Sequence, residues 1–270
     1  MNDGLLLLGV AALATGLVGG FISGLFGVGG GIVIVPVLDT VLGSLGVDTT
    51  VRMQVAVATS LATIVPTSIA SARAHHRRGA VDLVLARRWA PALVVGAAAG
   101  SWLATGALAG ALPALFGTVA AIMAVKMLLP MEDKVLAPDI PTGPLVQAVP
   151  LTIGAVSSMM GLGGGTLSVP ALTLMSQPVH RAVGTANLFG LAIALPGTVG
   201  YLLARPAAEV PPGTLGLVSL PGLLLIAPAA VLAAPWGARL AHRLDRRRLA
   251  AAFGAFLLLV AARMIYRNLS

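Results

Sequence analysis

The chain contains no cysteine, which excludes disulfides, thiolate metal sites and cysteine nucleophiles. Charge is almost as scarce. Charged residues make up 10% of the chain and aromatic residues 4%, while 57% of it is hydrophobic and the mean hydropathy is +0.97. Those values lie far outside the range of soluble domains and describe an integral membrane protein. No basic region precedes the first apolar run, only Asn2 and Asp3, so the N-terminal segment reads as a retained helix rather than a cleaved signal. Acidic residues number 9 against 17 Lys and Arg, and the pI is near 11.4. Such a balance can indicate a nucleic-acid partner, but the arginines here cluster beside apolar spans instead of forming one basic face. No nucleic acid is expected; the bilayer is the solvent.

What the chain does have is glycine, placed twice in one pattern. Gly27-Val28-Gly29-Gly30-Gly31 runs into Ile32-Val33-Ile34-Val35-Pro36, and Gly161-Leu162-Gly163-Gly164-Gly165 runs into Thr166-Leu167-Ser168-Val169-Pro170, an offset of 134 residues. A second echo, Ala56-Val57-Ala58-Thr59 and Ala182-Val183-Gly184-Thr185, has an offset of 126. Two motifs recurring in one order identify an internal duplication. The polar, proline-bearing stretch 131–142 separates the copies, giving a first membrane repeat at 1–136 and a second at 137–270.

Apolar segments fall at about 4–25, 32–44, 51–72, 82–107 and 111–130, then at about 144–160, 166–176, 183–204, 214–234 and 249–266. Each half thus has five segments. The second in each is too short to cross about 30 Å of hydrocarbon, and its backbone would go unpaired as a lone strand in lipid, so it reads as a half-helix. Gly16, Gly20 and Gly24, like Gly106 and Gly110, have the four-residue spacing of close helix packing. The expected fold is an all-α integral membrane protein.

Basic residues orient it. Arg73, Arg77, Arg78, Arg87 and Arg88 flank the turn between segments three and four of the first half, whereas Arg239, Arg243, Arg246, Arg247 and Arg248 lie between segments four and five of the second. If both clusters are cytoplasmic, the repeats enter the membrane in opposite directions and are inverted. Lys126, Lys134 and Arg181 agree with that arrangement; Arg52, Arg205, Arg263 and Arg267 do not.

Unwound backbone at membrane depth is tolerated where it is buried in protein or lines a polar cavity. Inverted-repeat transporters place substrate near the midplane at such breaks, and the half-helices here begin just after the glycine runs with free N–H groups and partial positive charge. The predicted ligand is therefore an anion, held by Gly27, Gly29, Gly30, Gly31, Gly161, Gly163, Gly164 and Gly165. Thr59, Ser60, Thr185 and Asn187, inside otherwise apolar spans, would add side-chain donors. The alternative is that the glycines only pack helices and the hydroxyls bond carbonyls one turn back. Neither glycine run fits a phosphate loop or dinucleotide pattern, because Ile32 and Thr166 stand where the last glycine would be. Ser23, Ser157 and Ser168 adjoin the breaks. Asp39 and Lys126 read as boundary residues, His75, His76 and His242 as solvated loop residues, and His180 with Arg181 as a pair placed to help an anion enter or leave.

Gly24-Leu25-Phe26-Gly27-Val28-Gly29-Gly30-Gly31 through Pro36, the Ala56–Ser60 motif, His75-His76-Arg77-Arg78-Gly79-Ala80-Val81-Asp82, the second glycine run and Gly237-Ala238-Arg239-Leu240-Ala241 together resemble the TauE/SafE family of sulfite and organosulfonate exporters. The resemblance covers nearly the whole chain. It implies a multi-pass permease of the bacterial plasma (inner) membrane carrying small inorganic or organic sulfur-containing anions, with no cofactor or metal. A homodimer is among the assemblies left open. Asn187 has no counterpart in the first half, where the equivalent motif reads Thr59-Ser60, so the site is expected to be asymmetric. An anion channel would use the same glycine-lined path. An intramembrane enzyme lacks support, with no H-E-x-x-H and no acid or histidine placed beside a nucleophile.

Overall fold

A computed structural model describes residues 2–26, 29–128 and 143–240, together with 254–255, 258–259 and 261–262. Gly27, Val28, the linker at 131–142, the arginines at 243–248 and most of the last apolar segment lie outside the described residues.

The first helix, α1 (Asn2–Phe26), stops at the glycine run, and α2 (Gly31–Ser44) starts directly after it. Then come α3 (Thr49–His76), α4 (Leu83–Thr105) and α5 (Leu112–Leu128). In the second half α6 (Ala148–Met160) stops at its own glycine run, followed by α7 (Gly165–Leu174), α8 (Val179–Leu203) and α9 (Leu220–Leu240). At 14 and 10 residues, α2 and α7 extend only about 21 and 15 Å. Each carries a proline at its sixth residue, and the Pro36 and Pro170 carbonyls accept the hydroxyls of Thr40 and Thr173. Among the described residues four helices, α3, α4, α8 and α9, are long and apolar enough to cross a membrane. Of these α3 is the most enclosed, and Trp102, Leu203, Leu224, Leu232 and Trp236 stand exposed on the others.

Two expected boundaries differ. The segment expected at 214–234 opens as a hairpin of Thr214–Leu215 against Val218–Ser219, and its helix begins only at Leu220. Pro211, Pro212 and two glycines favour a turn there, and the Leu217 amide donates to the Tyr201 carbonyl, tucking the hairpin under the end of α8. Likewise residues 144–147 form a 3-10 turn ahead of α6.

Helices from different halves interleave. The glycines of α1 lie on α9: a Cβ at Gly16 would be 2.5 Å from the Ile226 carbonyl, and those at Gly20 and Gly24 would strike the Ala230 and Ala234 carbonyls. Gly96 and Gly100 of α4 meet Leu151 and Ala155 of α6 in the same way. Position rises with position in both contacts, so α1 runs parallel to α9 and α4 to α6. Between α3 and α8 the order reverses, with Gly190 against Ser68 and Gly197 against Leu61. Exchanging the two repeats exchanges the first two contacts and returns the third to itself. Gly106 and Gly110 do not pack a helix. They lie past the end of α4, where a Cβ on Gly106 would meet only the Trp102 carbonyl at 3.4 Å and one on Gly110 would meet open space.

Candidate functional site

The two glycine breaks meet in the centre of the molecule. Gly29 and Gly30 hold φ of 77° and 74°, and Gly161 holds 66°, left-handed conformations that other L-residues adopt at a cost. A Cβ on Gly29 would lie 2.5 Å from Gly163 Cα, and one on Gly31 would strike the Gly161 carbonyl. The first break is therefore seated backbone to backbone on the second. Among the described residues the amides of Gly29, Gly30, Gly163 and Gly164 have no acceptor, and each run leads into the first turn of a half-helix, where the amides of Gly31 and Ile32, and of Gly165 and Thr166, have none either; Val33 already donates to the Gly30 carbonyl at 3.0 Å. Successive unpaired amides at a helix start form an anion-binding concavity.

The predicted side chains divide. Ser60 belongs to the break, donating its hydroxyl to the Gly161 carbonyl at 2.8 Å and standing 2.9 Å from where a Gly31 Cβ would lie. Thr59 and Thr185 form a matched pair elsewhere. Thr59 Oγ1 accepts the Ser219 amide at 2.9 Å, just ahead of α9, and Thr185 Oγ1 accepts the Asp82 amide at 2.9 Å, just ahead of α4. Ser219 and Asp82 in turn accept the amides three residues on, from Gly222 and Leu85, as helix caps. Each threonine thus fixes the start of a helix in the opposite half, and its hydroxyl proton remains available to donate. Asn187 is turned the other way: its Nδ2 donates to the Val183 carbonyl, leaving Oδ1, an acceptor, buried without a partner. Gly165 opens α7 and is buried, and Gly27 lies outside the described residues.

Around the breaks sit hydroxyls with no partner: Ser23 and Ser157, which are equivalent across the repeat, then Thr166 and Ser168 on the first turn of α7, and Ser68 on α3. Buried hydroxyls usually find an acceptor, so this concentration marks the region. Ser68 and the facing Gly190 were not legible in the sequence. Neither is echoed in the other repeat, and α3 carries many other hydroxyls.

Three ionisable residues are placed otherwise than expected. Asp39 is 3% exposed and bonds Arg52 Nε at 3.2 Å, so it is an interior residue, and Arg52, one of the basic residues off the cytoplasmic pattern, has a local reason to be there. His75 is 1% exposed, because α3 runs on to His76 and carries its Nε2 within 3.0 Å of the Gly24 carbonyl. His76 is exposed, as are His180 and Arg181 on the first turn of α8.

Interleaved apolar helices, four of them among the described residues long enough to cross a bilayer, define a multi-pass helical membrane protein. The family model described as Sulfite exporter TauE/SafE matches residues 12–264, and the chain belongs to that family. A "Probable membrane transporter protein" of Haemophilus influenzae is 32% identical over 263 residues, covering 94% of this chain and 97% of the relative. One of the same description from Methanocaldococcus jannaschii is 24% identical over 245 residues, 88% of each chain. Another, YunE of Bacillus subtilis, is 23% identical over 279 residues, 96% of this chain and 98% of its own. No solved structure matches. The chain is a membrane transporter.

Proposed function

We propose that this transporter carries a small sulfur-containing anion such as sulfite or an organosulfonate across the bacterial plasma membrane, binding it near the midplane at the opposed glycine breaks. The observation that carries the reading is the run of unpaired amides of Gly29, Gly30, Gly163 and Gly164, followed by half-helix N-termini and flanked by unpartnered hydroxyls. Donors in a low-dielectric site attract an anion and offer nothing to a metal ion or hydrocarbon. The two repeats, 1–136 and 137–270, are inverted in this reading. The antiparallel run of α3 against its equivalent α8 supports that, as does the exchange of α1 on α9 for α4 on α6.

Purified protein in liposomes, challenged with sulfite, sulfate, thiosulfate, sulfoacetate and taurine under an imposed gradient, should take up at least one saturably. Uptake linear in concentration would indicate a channel. The absence of specific uptake or binding for all five would overturn the reading. Replacing the break glycines does not test it: a Cβ on Gly30 meets the Gly19 carbonyl at 2.5 Å and one on Gly164 meets the Gly190 amide nitrogen at 2.5 Å, so alanine there disturbs packing first.

A further inference from the structure

We propose that Ser68, Gly190 and Gly164 form an oxyanion cradle on the α7 side of the breaks, and that it receives the SO3 head shared by sulfite and sulfonates. The proposal rests on the anion-transport reading above and adds to it the side of the site on which the anion sits.

Ser68 is 1% exposed and its hydroxyl has no partner. On the same helix Thr63 and Thr67 return their hydroxyls to the carbonyls of Thr59 and Thr63, the ordinary fate of a hydroxyl in an apolar helix. Ser68 instead points at Gly190. A Cβ on Gly190 would lie 2.7 Å from Ser68 Oγ and 3.4 Å from the Gly164 amide nitrogen, so both donors border the bare face of Gly190, and a methyl group there would crowd the hydroxyl. Other serines that face glycines do so with their hydrogen bond already made. Ser101, against Gly200, donates to Ala98, and Ser158, against Gly100, donates to Ala155. Helix packing alone therefore does not require an unpaired hydroxyl. Gly164 is the residue before α7, its amide has no acceptor among the described residues, and Thr166 and Ser168 on the following turn are unpartnered and buried. Ser68 Oγ and the Gly164 amide thus lie together at Gly190, beside a helix start that supplies partial positive charge.

The first half fills the equivalent space. The 126-residue offset aligns Gly190 with Ile64 and Ser68 with Ala194, and the 134-residue offset aligns Thr166 and Ser168 with Ile32 and Ile34. The Ile64 side chain reaches within 3.4 Å of where a Gly29 Cβ would lie. At the first break an isoleucine stands where the second has a glycine, and hydrocarbon replaces the hydroxyls. The duplicated architecture is one-sided in chemistry, and the polar side is that of α7.

Sulfite and sulfoacetate binding to the purified full-length protein, measured by calorimetry under anaerobic conditions, tests this. Ser68→Ala should raise both dissociation constants about ten- to a hundredfold, the loss expected for one hydrogen bond to a charged ligand, with the melting temperature of the anion-free protein unchanged. Gly190→Ala should abolish saturable binding. In the double variant Ser68→Ala with Gly190→Ala, removing Oγ relieves the 2.7 Å contact, so the melting temperature should recover while binding does not. Gly110→Ala, at an open position, should bind like the parent. Parental affinity of Ser68→Ala for both anions, or parental binding by the double variant, would overturn the cradle while leaving the transport reading intact. If Ser68→Ala does not fold, Ser68→Cys keeps the volume with a weak donor: loss of affinity supports the cradle and parental affinity refutes it. A parent that binds neither anion but transports sulfate restricts the failure to the SO3 assignment and overturns the cradle as stated; if it transports taurine or thiosulfate instead, which also carry an SO3 group, parental affinity of Ser68→Ala for that substrate overturns the cradle and loss of affinity supports it; a parent inert to all five overturns both readings.

Discussion

Thr59 and Thr185 each spend a buried hydroxyl on a backbone amide of the opposite half, at Ser219 and Asp82. Replacing either with valine keeps the shape and strands the amide, a cost of about 1–3 kcal/mol each. Denaturation in detergent should show both variants destabilised, with Thr59→Ser and Thr185→Ser near the parent; valine variants as stable as the parent would refute the clamp. Arg52 and Asp39 make a harsher case, since their side chains are 12% and 4% exposed. Arg52→Ala takes the cation of this ion pair away from a buried carboxylate and should cost up to about 3–5 kcal/mol. Asp39→Asn in that background should restore part of the loss, read in the same unfolding experiment.

At the scale of the helix, the glycine stripes decide which elements can touch. Gly16, Gly20 and Gly24 recur every four residues, so they lie on one face of α1, and that face is where the backbone of α9 comes to rest. A methyl group at Gly20 or Gly24 would meet a carbonyl that cannot rotate away. Gly24→Ala is expected to destabilise by about 1–3 kcal/mol through overpacking, whereas Gly110→Ala changes nothing measurable. Equal melting temperatures for the two variants would show that α1 and α9 are not held at that distance. Gly106 and Gly110 have the same spacing in the sequence but both lie past the end of α4, so spacing indicates a packing face only where the helix continues through it.

For the molecule as a whole, the absence of native cysteine allows orientation to be read directly. Arg77 follows α3 and Arg239 lies in the last turn of α9; both are exposed, as is Glu209 between α8 and α9. Under the inverted-repeat reading, cysteines at 77 and 239 should be modified by an impermeant reagent only from the cytoplasmic side, and a cysteine at 209 only from outside. Modification of 77 and 239 from opposite faces would end that reading.

Hydropathy and the glycine breaks were legible in the sequence because lipid imposes them locally. A segment must be apolar along its length to cross, must satisfy its own backbone, and can unwind only where small residues allow it. Thus α2 could be read as a half-helix despite its β-branched residues, and the breaks after Phe26 and Met160 appear where the glycines stand. The partners of each polar side chain were not legible, since they are set by residues far away in the chain. Thr59 meets Ser219 at a separation of 160 residues, Thr185 meets Asp82 at 103, and Ser60 meets Gly161 at 101. Asn187 was expected to donate to an anion; one N–H of its amide goes to the Val183 carbonyl of its own helix, and its oxygen is buried without a partner. The sequence by itself determined a duplicated membrane protein with two interrupted helices. Only the tertiary structure decided that the interruptions face each other and that one of them is lined with unpaired hydroxyls, because burial and pairing depend on which backbones approach in space.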